Sequence, residues 1–265
     1  MKIVCLKGGL GNQMFEYCRF RDLMESGHDK VYLFYDRRRL KQHNGLRLSD
    51  CFELELPSCP WGIKLVVWGL KICRAVGVLK RLYDDEKPEA VLIDDYSQHR
   101  RFIPNARRYF FFRQFLAELQ SGFVQMIRAV DYPVSVHVRR GDYLHPSNSS
   151  FGLCGVDYFR QAIAYVRKKR PDARFFFFSD DMEWVRENLW MEDAVYVEHT
   201  ELLPDYVDLY LMTLCRGHII SNSTFSFWGA CLAVDGNGMK IYPRRWFRDP
   251  TWTSPPIFSE EWIGL

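Results

Sequence analysis

The sequence predicts an α/β fold, in which short apolar strands alternate with helices. Three observations support this prediction. A strand, a glycine-rich turn, a helix and a second strand open the chain, and strands and helices alternate regularly from residue 134 to residue 242. Polar clusters directly follow several of the strands. Alternation of this kind implies parallel sheets that are covered by helices on both faces.

Composition places the chain among ordinary globular proteins. Of its 265 residues, 48% are hydrophobic and 26% are charged, and the net charge of +3 is too small to indicate a nucleic-acid partner. The eight cysteines form no Cys-x-x-Cys pair, which predicts reduced core residues in a cytosolic protein. No apolar stretch is long enough to span a bilayer, and no signal peptide precedes the first strand.

The first half begins with strands predicted at 2–6 and 31–35, joined by a helix at 12–26. Glycines between the first strand and this helix let a ligand approach the backbone closely, and Asn12 is the predicted N-cap. Their spacing is not G-x-G-x-x-G, so the dinucleotide fingerprint is absent. Residues 42–60 show no period and are predicted to form a loop.

Residues 61–80 are predicted to form a helix with one apolar face. The apolar residues at helical spacing are Trp61, Leu65, Trp68, Ile72, Val76 and Leu79. The basic residues Lys64, Lys71, Arg74 and Arg81 lie on other faces. One interpretation is a helix that touches a membrane surface or a lipid-linked substrate. The commoner alternative, which we favour here, is a helix that packs this face against its own domain.

The remaining elements follow in order along the chain. A short strand at 91–93 and an aromatic segment at 109–115 precede a helix that ends near residue 129. Strands are then predicted at 134–138, 174–178, 195–197, 218–220 and 240–242. Helices are predicted at 157–169, 182–188 and 206–216 and from about residue 224.

The strand at 134–138 is followed by two arginines, a glycine and an aspartate. Ligands of α/β sheets bind at the carboxyl ends of strands, and an arginine fork suits a phosphate. Strand alternation puts His137 and Arg139 on one face and Arg140 on the other, with Asp142 anchoring the turn. The alternative is a surface loop with two solvated arginines.

Two further strand ends carry polar clusters. Ser179, Asp180 and Asp181 follow one strand, and a segment rich in hydroxyl and amide groups, 221–226, follows another and begins a helix. Helix capping alone would explain each cluster. Three polar strand ends in one parallel sheet, with arginine at one and hydroxyls at another, favour a shared nucleotide site.

These motifs resemble glycosyltransferase family eleven, the α-1,2-fucosyltransferases that use GDP-fucose. The segments that carry the resemblance are G-G-L-G-N-Q-M-F-E-Y at 8–17, H-V-R-R-G-D-Y at 137–143, F-S-D-D at 178–181 and L-M-T-L-C to S-N-S-T-F-S-F-W-G-A at 211–230. The resemblance implies a GT-B-type fold with two Rossmann-like halves whose parallel sheets face a cleft. It also implies inversion at the fucose carbon without a metal or other cofactor. The sequence contains no Asp-x-Asp triplet, the usual metal-bound diphosphate motif of the other large transferase fold.

The resemblance also implies roles for individual residues. Arg139 would hold the β-phosphate of the donor, and His137 and Asp180 would contact the guanosine. The donor-binding set implied is Gly9, Gly11, Asn12, His137, Arg139, Asp180, Ser223, Thr224 and Phe225, and the catalytic set is Arg139, Asn12 and Asp142. The chain departs from the usual family pattern at Glu16, Cys18 and Phe227, where glutamine, alanine and tryptophan are usual.

The division implied is an acceptor-side half at 1–130 and a donor-binding half at 131–265. The expected partners are GDP-fucose and a galactose-terminated oligosaccharide or glycolipid, and no nucleic acid. The expected location is the cytoplasm, and a peripheral contact with the inner face of the membrane is the alternative kept open. The proton acceptor stays open among Asp142, Glu16, His145 and a donor phosphate oxygen. Two alternatives remain: a GDP-sugar transferase with another linkage or acceptor, and a non-catalytic nucleotide- or glycan-binding protein.

Overall fold

The structure is a computed structural model that describes residues 1–41, 44–83, 87–119, 122–148, 150–198 and 203–265. The chain divides into two compact units, Met1–Arg113 and Gln114–Leu265. The sequence-based division places residues 114–130 in the first half. In the structure these residues belong to the second unit, because a helix at Gly122–Arg128 packs against a later helix of that unit, Tyr206–Leu214.

The first unit is built on a three-stranded parallel sheet. Its strands are β1 (Lys2–Leu6), β2 (Val31–Tyr35) and β3 (Leu92–Ile93), in the order β2-β1-β3. Its helices are α1 (Leu10–Glu25), α2 (Arg37–Leu40), α3 (Leu48–Cys51), α4 (Trp61–Ala75) and α5 (Ala106–Tyr109). The β1-α1-β2 start predicted from the sequence is therefore present.

Helix α1 begins two residues earlier than predicted. Its N-cap is Gly9, and the N–H groups of Asn12 and Gln13 both donate to the Gly9 carbonyl at 3.0 and 3.1 Å. Asn12 therefore lies in the first turn and is not the N-cap. The predicted loop at 42–60 contains the short helix α3, and its residues 42–43 lie outside the described part of the chain.

Helix α4 packs on the first sheet, but through a different face from the one predicted. Ile63, Val67 and Leu70 are buried against the sheet with Ile3 and Leu92. The predicted apolar face points to solvent: its exposed residues are Trp61, Leu65, Trp68, Ile72, Val76 and Leu79. The helix also ends at Ala75, before the last two of these residues. The expectation that this face packs inside the domain is therefore wrong.

The second unit is built on a six-stranded parallel sheet. Its strands are β4 (Tyr132–Val138), β5 (Ala173–Ser179), β6 (Val195–Tyr196), β7 (Gly217–Ile219), β8 (Lys240–Tyr242) and β9 (Ile263–Gly264). Its helices are α6 (Gln114–Ala117), α7 (Gly122–Arg128), α8 (Val156–Lys169), α9 (Met182–Asn188), α10 (Tyr206–Leu214) and α11 (Thr224–Cys231). The strand order is β6-β5-β4-β7-β8-β9, which is the order of a doubly wound Rossmann sheet.

Strands β4 and β5 form the centre of this sheet. Every residue of β4 is buried, and so are the four consecutive phenylalanines 175–178 of β5. Continuous apolar strands of this kind are typical of a parallel sheet covered on both faces. The alternation of strands and helices predicted from residue 134 onward is thus found, with β9 as an additional strand.

Two further sequence-based predictions concern the cysteines and membrane-spanning segments. None of the eight cysteines, all of which lie in the described ranges, forms a disulfide, and five of them are buried. Within the described ranges, no helix combines the length and hydropathy needed to cross a membrane.

Candidate active site

The predicted polar strand ends meet at one edge of the second sheet. Strand β4 lies between β5 and β7, and the chain winds away from β4 toward β6 on one side and toward β9 on the other. The gap between β4 and β7 is therefore the topological switch point, where α/β sheets bind ligands. Arg139 follows β4, Asp180 follows β5 and Ser221 follows β7 closely in sequence.

The Arg139 guanidinium is held between two carboxylates. One terminal nitrogen, Nη2, lies 2.8 Å from Asp142 Oδ1, and the other, Nη1, lies 3.0 Å from Asp180 Oδ2. The side chain is 35% exposed, so it is partly accessible to solvent. Exposed pairs of this kind add little stability, and their main effect is to fix the direction in which the arginine points.

Arg140 has a different environment from Arg139. Its Nε donates to Asp181 Oδ2 at 3.0 Å, and its guanidinium lies 4.0 Å from the centroid of the Trp184 ring. Asp181 also caps α9 by accepting from the Trp184 N–H. Arg140 is 15% exposed and joins the end of β4 to α9. The two arginines therefore have separate partners, as expected if they lie on opposite faces of the strand end.

Asp180 organises the loop after β4. Its Oδ2 pairs with Arg139, and its Oδ1 accepts from the Arg140 N–H at 2.9 Å. A β-carbon on Gly141 would lie 2.8 Å from the same carboxylate, so a glycine is required there for the loop to approach Asp180 this closely. Asp180 is thus an anchor of the loop as well as a candidate nucleoside contact.

His137 is buried at the end of β4 and connects it to β7. Its Nδ1 lies 2.9 Å from Ser221 Oγ, and its ring centroid lies 5.8 Å from that of Phe225. Burial lowers the pKa of His137 to about 4, an effect that the Asp180 charge opposes and the Arg139 charge reinforces. The ring is therefore neutral near pH 7, and it joins the Arg139 strand end to the start of α11.

The N-terminus of α11 is the third part of this site. Ser223 is its N-cap and is buried, but its hydroxyl does not cap the helix. Thr224 and Phe225 form the first turn of the helix. Backbone N–H groups at a helix N-terminus carry a partial positive charge that favours phosphate oxygens.

Asn222 holds this turn in place, a role that the sequence patterns did not reveal. Its Nδ2 donates to the carbonyls of Gly152 and Trp246 at 2.6 and 2.7 Å, and its own carbonyl accepts from the Tyr143 hydroxyl at 3.0 Å. Burial raises the pKa of Tyr143, which keeps this hydroxyl protonated as a donor. The presence of Tyr143 and Asn222 inside two of the quoted motifs was the only available signal.

In the first unit, the glycine-rich turn is tightly built around Asn12. Gly8 has a φ of +69°, and a β-carbon there would lie 2.7 Å from Asn12 Nδ2. The Asn12 Oδ1 accepts from Gln98 Nε2 at 3.0 Å, and Gln13 Nε2 donates to the Gly8 carbonyl at 2.9 Å. Gly9, in contrast, has open space where a β-carbon would be. Close packing therefore does not explain the glycine at this position.

Glu16 lies beneath this turn and is fully buried. Its Oε2 accepts from the Lys7 N–H at 2.8 Å, and Oε1 has no hydrogen-bond partner among the described residues. Burial raises the pKa of Glu16 well above its usual value, although the Lys7 hydrogen bond and charge oppose the effect. A side chain enclosed in this way cannot reach an acceptor hydroxyl, so the hypothesis that Glu16 is the general base is wrong.

Asp142 and His145 differ from Glu16 in their accessibility. Asp142 is 46% exposed beside Arg139. His145 lines an open cavity of about 900 Å³ in the second unit, together with Tyr143, Tyr158 and Arg245. Both remain candidates for contact with a substrate. Within the described ranges, no group of three or more His, Cys, Asp or Glu side chains is arranged to hold a metal ion.

The comparison with protein families decides the class. The family model described as "Glycosyl transferase family 11" matches residues 105–265, well over half of the chain. The chain belongs to glycosyl transferase family 11. It is therefore a glycosyltransferase, and the family resemblance of the sequence motifs is confirmed.

Two of the curated relatives match along nearly the whole chain, and a third matches about half of it. An O-antigen biosynthesis glycosyltransferase of Escherichia coli, WbnK, is 25% identical over 98% of this chain and 99% of its own length. An alpha-1,2-colitosyltransferase of the same organism is 29% identical over 98% of this chain and 97% of its own length. The human galactoside alpha-(1,2)-fucosyltransferase 1 is 35% identical over 54% of this chain and 42% of its own length.

Solved structures support the fold of this family 11 chain. The alpha-1,6-fucosyltransferase NodZ, co-crystallised with GDP, matches with a TM-score of 0.54 at 16% identity, over 86% of this chain and 90% of NodZ. A NodZ structure soaked with GDP-fucose matches with a TM-score of 0.53 at 14% identity, over 87% of this chain and 91% of NodZ. The predicted α/β, GT-B-type fold with a parallel sheet in each unit is confirmed.

Proposed function

We propose that this protein transfers L-fucose from GDP-fucose to the 2-hydroxyl of a galactose-containing glycan, with inversion and without a metal. One observation carries the proposal. Arg139, Asp180 and the N-terminus of α11 lie together at the switch point of a Rossmann sheet, in a chain that belongs to family 11. An arginine fork, a carboxylate and the partial positive charge of a helix N-terminus suit the diphosphate and the nucleoside of such a donor.

The proposed catalytic role of Arg139 follows from the position at which negative charge develops during the reaction. When the bond between fucose and GDP breaks, negative charge grows on the β-phosphate. Arg139 is already oriented by Asp142 and Asp180, so it needs little reorganisation to stabilise that charge. The α11 N-terminus adds a partial positive charge that needs no counter-ion. Together they provide the charge stabilisation that a bound divalent cation supplies in other transferases.

The acceptor hydroxyl must also lose a proton. Asp142 is the exposed carboxylate paired with Arg139, so it lies beside the cation that is proposed to hold the donor phosphate. A carboxylate or a histidine within reach of the acceptor hydroxyl can take up that proton. Asp142 is our first candidate for this role, and His145 is the second. Gly9, Gly11 and Asn12 remain the predicted donor contacts of the first unit.

A second donor is favoured by a specific observation. The alpha-1,2-colitosyltransferase matches 98% of this chain, and colitose is the 3-deoxy counterpart of L-fucose. The two sugars differ only in the hydroxyl at carbon 3. A site that forms a hydrogen bond to this hydroxyl would reject colitose strongly, whereas an apolar pocket at this point would discriminate weakly between the two sugars. Because of the similarity to the colitosyltransferase, transfer of colitose is the alternative to transfer of fucose.

The test is a comparison of donors. The full chain is incubated with GDP-L-fucose or with GDP-colitose and a panel of galactosides, and the linkage in the product is read by NMR. We expect fucose transfer to the 2-hydroxyl of galactose. Faster turnover of GDP-colitose would assign the alternative donor, and a different linkage would overturn the proposed acceptor position. GDP binding with neither transfer nor donor hydrolysis would identify a non-catalytic binding protein.

A further inference from the structure

Helix α4 presents apolar side chains on two opposite faces. The inner face, Ile63, Val67 and Leu70, is buried on the first sheet. Since successive residues are 100° apart on a helix, the outer stripe of Trp61, Leu65, Trp68 and Ile72 lies directly opposite. Trp61 and Trp68 are 73% and 68% exposed. The exposed hydrophobic side chains Val76, Val78 and Leu79 continue the same surface beyond the helix. We call these seven residues the outer stripe.

The charge around the outer stripe is positive on balance, although Lys71 and Arg74 pair with Asp94. Residues 61–82 contain the basic residues Lys64, Lys71, Arg74, Lys80 and Arg81 and no acidic residue. Beside Trp68, an open hollow of about 630 Å³ is lined by Arg37, Arg38, Arg39, Lys64 and Lys71. The acid that lines it, Asp36, accepts from the Arg38 N–H and pairs with Arg39.

We propose that this face of the first unit docks on the surface of an anionic lipid bilayer. Helices of this composition lie in the plane of the membrane interface, with Trp and Leu inserted and Lys and Arg near lipid phosphates. Tryptophan is the side chain favoured at that boundary. The outer stripe enters the interface, and the basic hollow faces the headgroups.

The charge pattern distinguishes this partner from a second copy of the chain. A two-fold dimer built on the outer stripe would place the same surface against itself. Lys64 and the arginines 37–39 of both copies would then be brought into one interface, and like charges brought together are unfavourable. An anionic bilayer complements both the apolar stripe and its positive border.

The test uses the full chain and two kinds of vesicle, one of phosphatidylcholine alone and one of equimolar phosphatidylcholine and phosphatidylglycerol. We expect cosedimentation with the anionic vesicles, weakened by added salt, and weak binding to the neutral ones. The double variant Trp61→Gln/Trp68→Gln should bind anionic vesicles on the order of tenfold or more weakly. Its melting temperature should not change, because both side chains are exposed.

Matched controls separate the surface from general effects. Trp190→Gln removes a tryptophan that is 66% exposed in the second unit and should leave binding unchanged. Lys64→Glu/Arg38→Glu should weaken binding to anionic vesicles, whereas Lys168→Glu/Lys169→Glu, at exposed positions of α8, should have a much smaller effect. Equal binding of the double tryptophan variant and the unchanged protein would overturn the proposal. So would a concentration-dependent dimer that the tryptophan changes dissociate, in a protein that binds no vesicles.

Discussion

Arg139 and Arg140 are adjacent in sequence but have different roles in the structure. Arg139 is partly accessible and is held by Asp142 and Asp180, whereas Arg140 is mostly covered and lies on Trp184. Strand alternation predicted the opposite directions of the two side chains. The partners could not be predicted, because they depend on the loop after β5, which is 40 residues away in sequence.

We predict that Arg139→Lys lowers kcat by about a hundredfold or more while the protein stays folded. A lysine keeps the charge but loses the planar fork, and the charge it faces grows in the transition state. The measurement is kcat at saturating GDP-fucose, with the melting temperature as a check. Arg140→Lys is the control, and it should lower stability more than kcat because it loses the Trp184 contact. A near-normal kcat in Arg139→Lys would place the phosphate elsewhere.

We predict that Asp180→Ala weakens GDP binding by about tenfold or more. The change removes one of the two Arg139 partners and the acceptor for the Arg140 N–H, so the loop after β4 loses an anchor. Calorimetric titration with GDP and with pyrophosphate measures the effect. Loss of affinity for GDP alone would indicate a nucleoside contact, and loss for both indicates an effect through Arg139. Asp172→Ala removes an exposed ion pair and is the control. Unchanged GDP affinity would contradict both roles.

We predict that Glu16→Gln makes the protein more stable than the parent as pH rises. The raised pKa means that folded Glu16 holds its proton to higher pH than the unfolded chain does. The folded state therefore binds more protons in that window, and stability falls as pH increases through it. The glutamine side chain of the variant has no proton to lose. Melting temperatures between about pH 5 and about pH 8 check this, with Glu187→Gln at an exposed position of α9 as the control. Parallel curves for parent and variant would contradict it.

At the scale of elements, hydrophobic patterns and polar strand ends predicted most of the strands and helices. The β1-α1-β2 start and the alternating strands after residue 134 are found because buried parallel strands need continuous apolar runs, such as 175–178. The start of α1 was misplaced because Gly9, rather than an Asx or hydroxyl side chain, caps it. Helix α4 was misjudged because apolar residues on both faces give no information about which face meets the sheet.

We predict that changing Lys64, Lys71 and Arg74 to glutamine leaves donor hydrolysis unchanged, because α4 carries none of the family motifs. Lys71 and Arg74 both pair with Asp94, so the melting temperature should fall slightly. Lys64→Gln alone, which leaves both of these contacts with Asp94 in place, separates the two effects. Hydrolysis of GDP-fucose without acceptor is the measurement. A large loss of turnover in Lys64→Gln, with an unchanged melting temperature, would give this helix a part in donor chemistry.

At the scale of the whole chain, the two units differ in how much of their structure and function the sequence motifs predict. The second unit carries the motifs at 137–143, 178–181 and 211–230, and the family model begins near its boundary, at residue 105. The first unit carries only the 8–17 motif, and the boundary near residue 113 follows no glycine- or proline-rich linker. Helix α7 belongs to the second unit through its packing on α10, a long-range contact that local pattern does not encode.

The whole site also predicts how turnover depends on metal. The diphosphate is expected to be neutralised by Arg139 and the α11 N-terminus, and the sequence has no Asp-x-Asp motif that would hold a cation on it. We therefore predict that transfer from GDP-fucose has the same rate with and without excess EDTA. Arg139→Lys, assayed with added magnesium or manganese, also tests whether a metal ion neutralises the diphosphate. If a cation also stabilises the charge on the diphosphate, added metal should restore part of the rate lost in Arg139→Lys, and EDTA should slow the unchanged protein. If Arg139 and the α11 N-terminus stabilise that charge without a metal, added metal should restore no activity and EDTA should have no effect.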